Sequence, residues 1–516
     1  MNKHLNRFFL FLLLPSLVSC KPGGTSRRLH QGEYTYLTYS TSPITSTSGK
    51  VRVESSSSLS VDPFNTSILA NLYYYKNDYS ASELKALGEE INDFFQYASA
   101  LSDRHYYYDQ VKEDGTAQRI VNLKVLNDAY GSEKPVTLDP FLYGLLKDSY
   151  SFSLASGGKF NCFLGTLSQF YEDKLSQVSE GSESLLDNLL SSLTGRTFAS
   201  FTSEEKSRIA SLVSSLPKTK EDMEGLLSFD DSTSSVVFHR FKDVDHLEIS
   251  LGGNAKGYAT EQLCDKLPSE WDEDLSLLVN SGSSSIKTIG KRPDNKPWSI
   301  TYNNPVYYEG KGQVKANRWE VLLSYEGNFN LSTSGYYEQY FYAQNGAGKD
   351  FDRFDHIVDA ATGYSVPFFD AVSVYLDNAG LADMYTTALM NCSSLKEATD
   401  LFLRLNETYG EKDSGLILTT KSEKGNKDAL KHYSYQDFDV LNESGYPEVR
   451  LADGNLYQGD YSDLKGTDIA SLVSLFSPSY QENYYFTKNL YANARKGTES
   501  DGLSQENASV LWSLGI

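Results

Sequence analysis

Between Ser234 and Gly335 the sequence keeps returning to one pattern, short runs of alternating apolar and polar residues broken by Gly, Asn, Asp or Pro. "SSVVFHRF", "HLEISL", "LSLLVNSG", "SSIKTIG", "PWSITYNNP", "RWEVLLSYE" and "NFNLSTSG" all carry it. A period of two sends successive side chains to opposite faces, so each run reads as a strand. Helical spacing surrounds this block. It occurs in "SASELKALGEEINDFFQYASA" (80–100), in "DPFLYGLLKDSYSFSLAS" with Asp139-Pro140 as its start signal, and in one long segment from Gly380 to about Leu405. A polar stretch over about 176–226, rich in Ser, Glu and Leu, reads as a helical insert forming a peripheral hairpin. "SGLILTTK" reads as another strand. Residues 429–516, rich in Tyr and Asn, read as an appended C-terminal extension of unknown role.

A chain of 516 residues can bury a large core. Its net charge of −21 argues against a nucleic-acid partner, because phosphate binding draws on clustered Lys and Arg. The start, "MNKHLNRFFLFLLLPSLVSCKPGG", has a basic end, an apolar core too short to span a membrane stably, and small residues before Cys20. "LVSC" resembles the bacterial lipobox. That resemblance implies a lipoprotein signal peptide (1–19), lipidation at Cys20 and a flexible tether (20–34). The body would then sit outside the cytoplasm, anchored to the bacterial cell membrane by acyl chains. The alternative is an ordinary signal peptide with an incidental Cys. Cys162, Cys264 and Cys392 show no C-x-x-C spacing and read as core thiols.

"LGGNAKGYAT" (251–260) places three glycines and a lysine between a strand-like and a helix-like segment. Alone it is a turn with a solvated lysine, or a place where a ligand lies against the main chain. It is followed, in order, by "VNSGSSSIKTIGKRPDNKPW", "STSGYYEQYF", "HIVDAATGYSV" and "AVSVYLDNAGLADMYTTALM", and preceded by "NLKVLNDAYGSEKPVTLDP" and "ASGGKFNCFLGTLSQFY". Together these resemble the ApbE family, FAD:protein FMN transferases, over roughly residues 80–425. The resemblance implies an α+β domain (35–428) with a mixed or antiparallel sheet core and packed helices. It also implies a reaction in which FAD is the substrate, Mg²⁺ the cofactor, and FMN passes to a Thr hydroxyl of an acceptor protein, a redox or electron-transfer protein, with release of AMP.

The family pattern assigns the metal to Asp383, Thr387 and a backbone carbonyl at Gly253 or, second, Ala255. Asp383 and Thr387 are four apart on a helix and so share a face, and Mg²⁺ favours hard oxygen ligands. Without the resemblance, Asp383 reads as a helix cap and Thr387 as packing. Lys256 would reach polar groups of FAD, and Ser250 stands where a carboxylate is usual. Phe160 and Asn161 are implied to contact adenine or ribose, and Ile357 to line the FAD site. His356 is implied in transfer, as the base that takes the hydroxyl proton or as a structural histidine. Asp359 either orients it or acts as base. Ser283 and Ser284 replace a glycine pair and could crowd a ligand-facing backbone. Two further readings stay open: an FAD-binding lipoprotein, and an FAD pyrophosphatase producing FMN and AMP without a protein acceptor.

Overall fold

A computed structural model describes residues 30–180, 184–194, 196–303, 305, 319–344, 351–421, 482–496, 510–514 and 516. Cys20, the signal sequence and most of the C-terminal extension lie outside the described residues. Nine strands form the main sheet, and their order across it is their order along the chain. They are β1 (Tyr34–Ser40), β2 (Ile68–Tyr75), β3 (Ser276–Ser281), β4 (Ser285–Ile289), β5 (Phe329–Gly335), β6 (Ala371–Tyr375), β7 (Gly415–Lys421), β8 (Glu482–Phe486) and β9 (Val510–Ser513). Neighbours are antiparallel except β8 and β9, which are parallel. The fold is therefore α+β with a mixed, mainly antiparallel sheet and packed helices, as expected.

The helices start where their caps say they should. Helix α1 (Ala81–Ser102) opens with a reciprocal box: Ser80 Oγ accepts from Glu83 N–H at 3.2 Å, and Glu83 accepts from Ser80 N–H at 2.7 Å. Its Leu87, Ile91 and Phe95 pack with Leu72, Leu277 and Val279 of the sheet. Helix α2 (Pro140–Ser156) begins with Asp139 as cap and Pro140 at its first position, and ends at Gly157 with φ 67°.

Three expectations change. The segment from Gly380 to Leu405 is two helices, α7 (Ala379–Met390) and α8 (Leu395–Tyr409). Ser394 accepts from Glu397 N–H at 3.1 Å, so a new cap interrupts an otherwise continuous apolar period. "HLEISL" is not a strand. Leu247, Ile249 and Leu251 alternate inward, but the Asn127 side chain takes both backbone groups of Ile249, at 2.8 and 3.0 Å. The insert (about 176–226) begins within α3 (Gly165–Glu180) and holds α4 (Leu185–Thr194), α5 (Ser203–Ser214) and a short turn of helix at Lys220–Met223, and its Ile209, Leu216 and Met223 join the main core rather than forming a peripheral hairpin. Phe201, just before α5, packs its ring on Phe341 and Phe354 at 5.3 and 4.9 Å.

The three expected core thiols are buried and free. Among the described residues no helix is long and apolar enough to cross a membrane.

Candidate functional site

The glycine stretch leads into α6 (Ala255–Glu270), which lies against α7. Gly257 makes this possible. A Cβ there would stand 2.6 Å from Asp383 Oδ2 and would also strike the Ala379 carbonyl. In its place the Gly257 N–H donates to Asp383 Oδ2 at 2.7 Å. One turn further along α7, the Thr387 hydroxyl donates to the Gly253 carbonyl at 3.3 Å. The Phe160 ring closes the same corner, 3.1 Å from where a Gly253 Cβ would be. Phe160, Gly253, Asp383 and Thr387 thus converge, with Lys256 in the first turn of α6.

Burial pushes the Asp383 carboxyl up to about 7, against the Lys256 charge, the Ser332 hydroxyl and the Gly257 N–H, which favour its ionised form. A carboxylate held this way gains from a cation beside it. The oxygens offered are a carboxylate, a hydroxyl and a carbonyl, the hard set that Mg²⁺ takes. Thr387 Oγ1 and the Gly253 carbonyl stand 3.3 Å apart, close to the ~3 Å between adjacent oxygens of an octahedral Mg²⁺ shell. The residues present fit the ion. The start of α6 also suits an anion. Asn254 does not cap it with its side chain, which instead donates to Ser149 Oγ at 2.8 Å, and Lys256 adds positive charge.

His356 follows a strand (Phe351–Asp355) whose alternation turns Arg353 and Asp355 inward and His356 out to solvent. Arg353 pairs with Asp370 at 2.5 Å and lies 3.5 Å over the Tyr336 ring. Asp355 Oδ1 accepts from Ile357 N–H at 2.8 Å. Burial raises the Asp355 carboxyl, while the charges of Arg353 and His356 oppose that rise. Asp359 holds its own turn: its carboxylate accepts from the Thr362 hydroxyl at 3.2 Å and its carbonyl from Gly363 N–H at 2.8 Å. Asp355, which the sequence did not single out, is thus turned into the core while its neighbour His356 faces solvent.

The remaining candidates are braced within the fold. Asn161 donates to the Pro217 carbonyl at 2.7 Å and accepts from Phe163 N–H at 2.9 Å, using both ends of its amide. Ser250 N–H donates to the Cys162 carbonyl at 2.8 Å. Ile357 is buried in the main core. Ser283 sits with φ 61° after Gly282 with φ 63°, and the Ser284 carbonyl accepts from Thr333 N–H at 2.6 Å. Glu261, one turn after Gly257, was missed. It accepts from Ala379 N–H at 2.6 Å and from Lys287 at 2.7 Å, fixing the start of α7.

The sequence pattern of the ApbE family matches residues 112–407, more than half of the chain and all the elements just described from α2 to α7. The chain belongs to the ApbE family. An FAD:protein FMN transferase of Chlamydia muridarum is 22% identical over 333 residues, 62% of this chain and 80% of that protein. The crystal structure of the ApbE protein of Thermotoga maritima is similar at TM-score 0.47 and 20% identity, covering 69% of this chain and 92% of that one. The flavin transferase ApbE of Vibrio cholerae is similar at TM-score 0.44 and 16% identity, covering 76% and 94%. Within this ApbE family member, the glycine stretch and α7 form the cation-fitting corner, and the His356 turn lies on a separate loop.

Proposed function

We propose that this ApbE family protein transfers FMN from FAD to a threonine hydroxyl of an acceptor protein, outside the cytoplasm and anchored through Cys20. The observation that carries the reading is the convergence of Asp383, Thr387 and the Gly253 carbonyl beside Lys256. Asp383, Thr387 and Gly253 would hold Mg²⁺, which when bound neutralises charge on the pyrophosphate. Lys256 and the start of α6 orient the phosphates. Gly252 and Gly253 let them approach the main chain. The acceptor hydroxyl oxygen bonds to the FMN-side phosphorus, the bond to the bridging oxygen breaks, and AMP leaves with that oxygen. His356, exposed to solvent, takes the hydroxyl proton.

The same exposure of His356 supports a second outcome, in which water replaces the hydroxyl and FMN and AMP are both released. Incubation with FAD, Mg²⁺ and an acceptor protein separates the readings. In-gel flavin fluorescence on the acceptor is the expected result. AMP release without label would mean hydrolysis, and tight FAD with neither product would mean a binding protein. Chelation by EDTA and Asp383→Ala should each abolish labelling, and labelling that survives both would overturn the cation assignment.

A further inference from the structure

Helix α7 and its C-cap carry three polar residues at four-residue spacing, Asp383, Thr387 and Asn391. The first two meet Gly257 and Gly253. The third is tied to Lys159 in both directions: Asn391 Nδ2 donates to the Lys159 carbonyl at 3.0 Å, and Lys159 Nζ donates to the Asn391 carbonyl at 2.7 Å. Lys159 Nζ also pairs with Glu397 Oε1 at 2.9 Å, while Glu397 Oε2 accepts from Ser393 N–H at 2.7 Å. The ammonium therefore binds both the end of α7 and the start of α8.

Lys159 directly precedes Phe160, whose ring lies on Gly253. The turn is held on its other side too. A Cβ on Gly158, at φ 85°, would collide with the Lys218 carbonyl, and Asn161 donates to Pro217. Residues 157–161 thus act as a stiff bar, fixed to the far end of α7 through Lys159 and pressed on the glycine turn through Phe160. Burial works to lower the Lys159 ammonium's pKa, but the Glu397 carboxylate outweighs it and holds the group above its ordinary range.

The geometry points to Lys159 as a positioning residue that, through Asn391 and Phe160, sets the spacing between the Thr387 hydroxyl and the Gly253 carbonyl, and hence the grip on a divalent cation. The inference rests on the cation site proposed above. Mg²⁺ tolerates little departure from octahedral geometry, so a drift of a few tenths of an ångström between the two oxygens weakens binding.

The test uses Mn²⁺ as the probe and reads binding to the full-length protein by electron paramagnetic resonance. Lys159→Met should weaken Mn²⁺ binding about tenfold or more, the usual effect of losing an outer support of a metal site. Lys159→Arg, which keeps the charge and the donors, should recover most of it. In FMN transfer the Mg²⁺ concentration for half-maximal rate should rise by the same factor, with kcat at saturating Mg²⁺ within about twofold. If Lys159→Met does not fold, Glu397→Gln serves instead and should weaken Mn²⁺ binding about threefold. Unchanged Mn²⁺ affinity in the folded variant overturns the positioning role alone. A wild-type protein that binds no Mn²⁺ overturns the cation site and this inference with it.

Discussion

Gly257 shows how a single hydrogen in place of a methyl group can decide a site. Its partners, the Ala379 carbonyl and the Asp383 carboxylate, lie more than a hundred residues away in sequence. Gly257→Ala would force α6 and α7 apart and strip Asp383 of its backbone donor. A loss of about 2–4 kcal/mol in urea unfolding should follow, together with loss of Mg²⁺-dependent transfer. A variant as stable as wild type would mean that the helices can slide. Ser283 presents the opposite case, a side chain where the backbone prefers none. With φ at 61°, Ser283→Gly should stabilise the protein by about 1 kcal/mol, measured the same way. The sequence exposed Gly252 and Gly253 because they are adjacent. Gly257 belongs to the same glycine-rich stretch, but its constraint comes entirely from a distant helix, which no local pattern reports.

Local chemistry made many elements legible. The box at Ser80 and the Asp139-Pro140 start sit in the sequence as they do in the structure, because caps are satisfied by residues three or four positions away. "HLEISL" failed for the converse reason. Alternation reports burial on one side but not whether a strand is available to pair with, and here a side-chain amide does that work. Helix α2 also carries Asp148, whose side chain keeps an exposed face but lies near Tyr258 of α6 and Tyr409 of α8, whose hydroxyls its charge helps to raise after burial itself. Burial pushes Asp148 up to about 6, partly offset by Lys147. In the unfolded chain the group titrates near 3.9. The folded state therefore keeps a proton that the unfolded state has released. This favours folding fully below about pH 4, and the benefit is lost as pH rises through 6. Asp148→Asn should match wild type near pH 4 and exceed it by about 1 kcal/mol at pH 7.5, a figure reduced because the side chain still meets solvent. Equal gains at both pH values would show that the charge is not the cause.

The ApbE match ends at residue 407, yet the sheet does not end there. β8 and β9 come from the segment that reads, in sequence, as an appendage. β8 pairs with β7 from Ile417↔Phe486 to Lys421↔Glu482. Tyr484, Phe486 and Leu490 are fully buried with Ile417, Val321 and Leu323. Thr487 adds a reciprocal clamp, its N–H donating to the Leu416 carbonyl at 3.0 Å and its hydroxyl accepting from Leu416 N–H at 3.1 Å. The pairing was not legible because "ENYYF" is too short to announce a strand, and about sixty residues separate it from its partner. The outer strands are thus part of the core that supports β5 and β6, the strands beneath α7. A chain ending at residue 428 would leave β7 as a bare edge beside an uncovered apolar surface. Each lost aromatic or leucine side chain would forfeit about 1.5–3 kcal/mol of burial. The shortened chain should melt at least about 10 °C lower, as expected for a loss of several kcal/mol, and should self-associate in size-exclusion chromatography at concentrations where the full chain is monodisperse. A shortened chain that stays monodisperse, melts with the full one and binds Mn²⁺ equally would show that β8 and β9 are ornamental to the core.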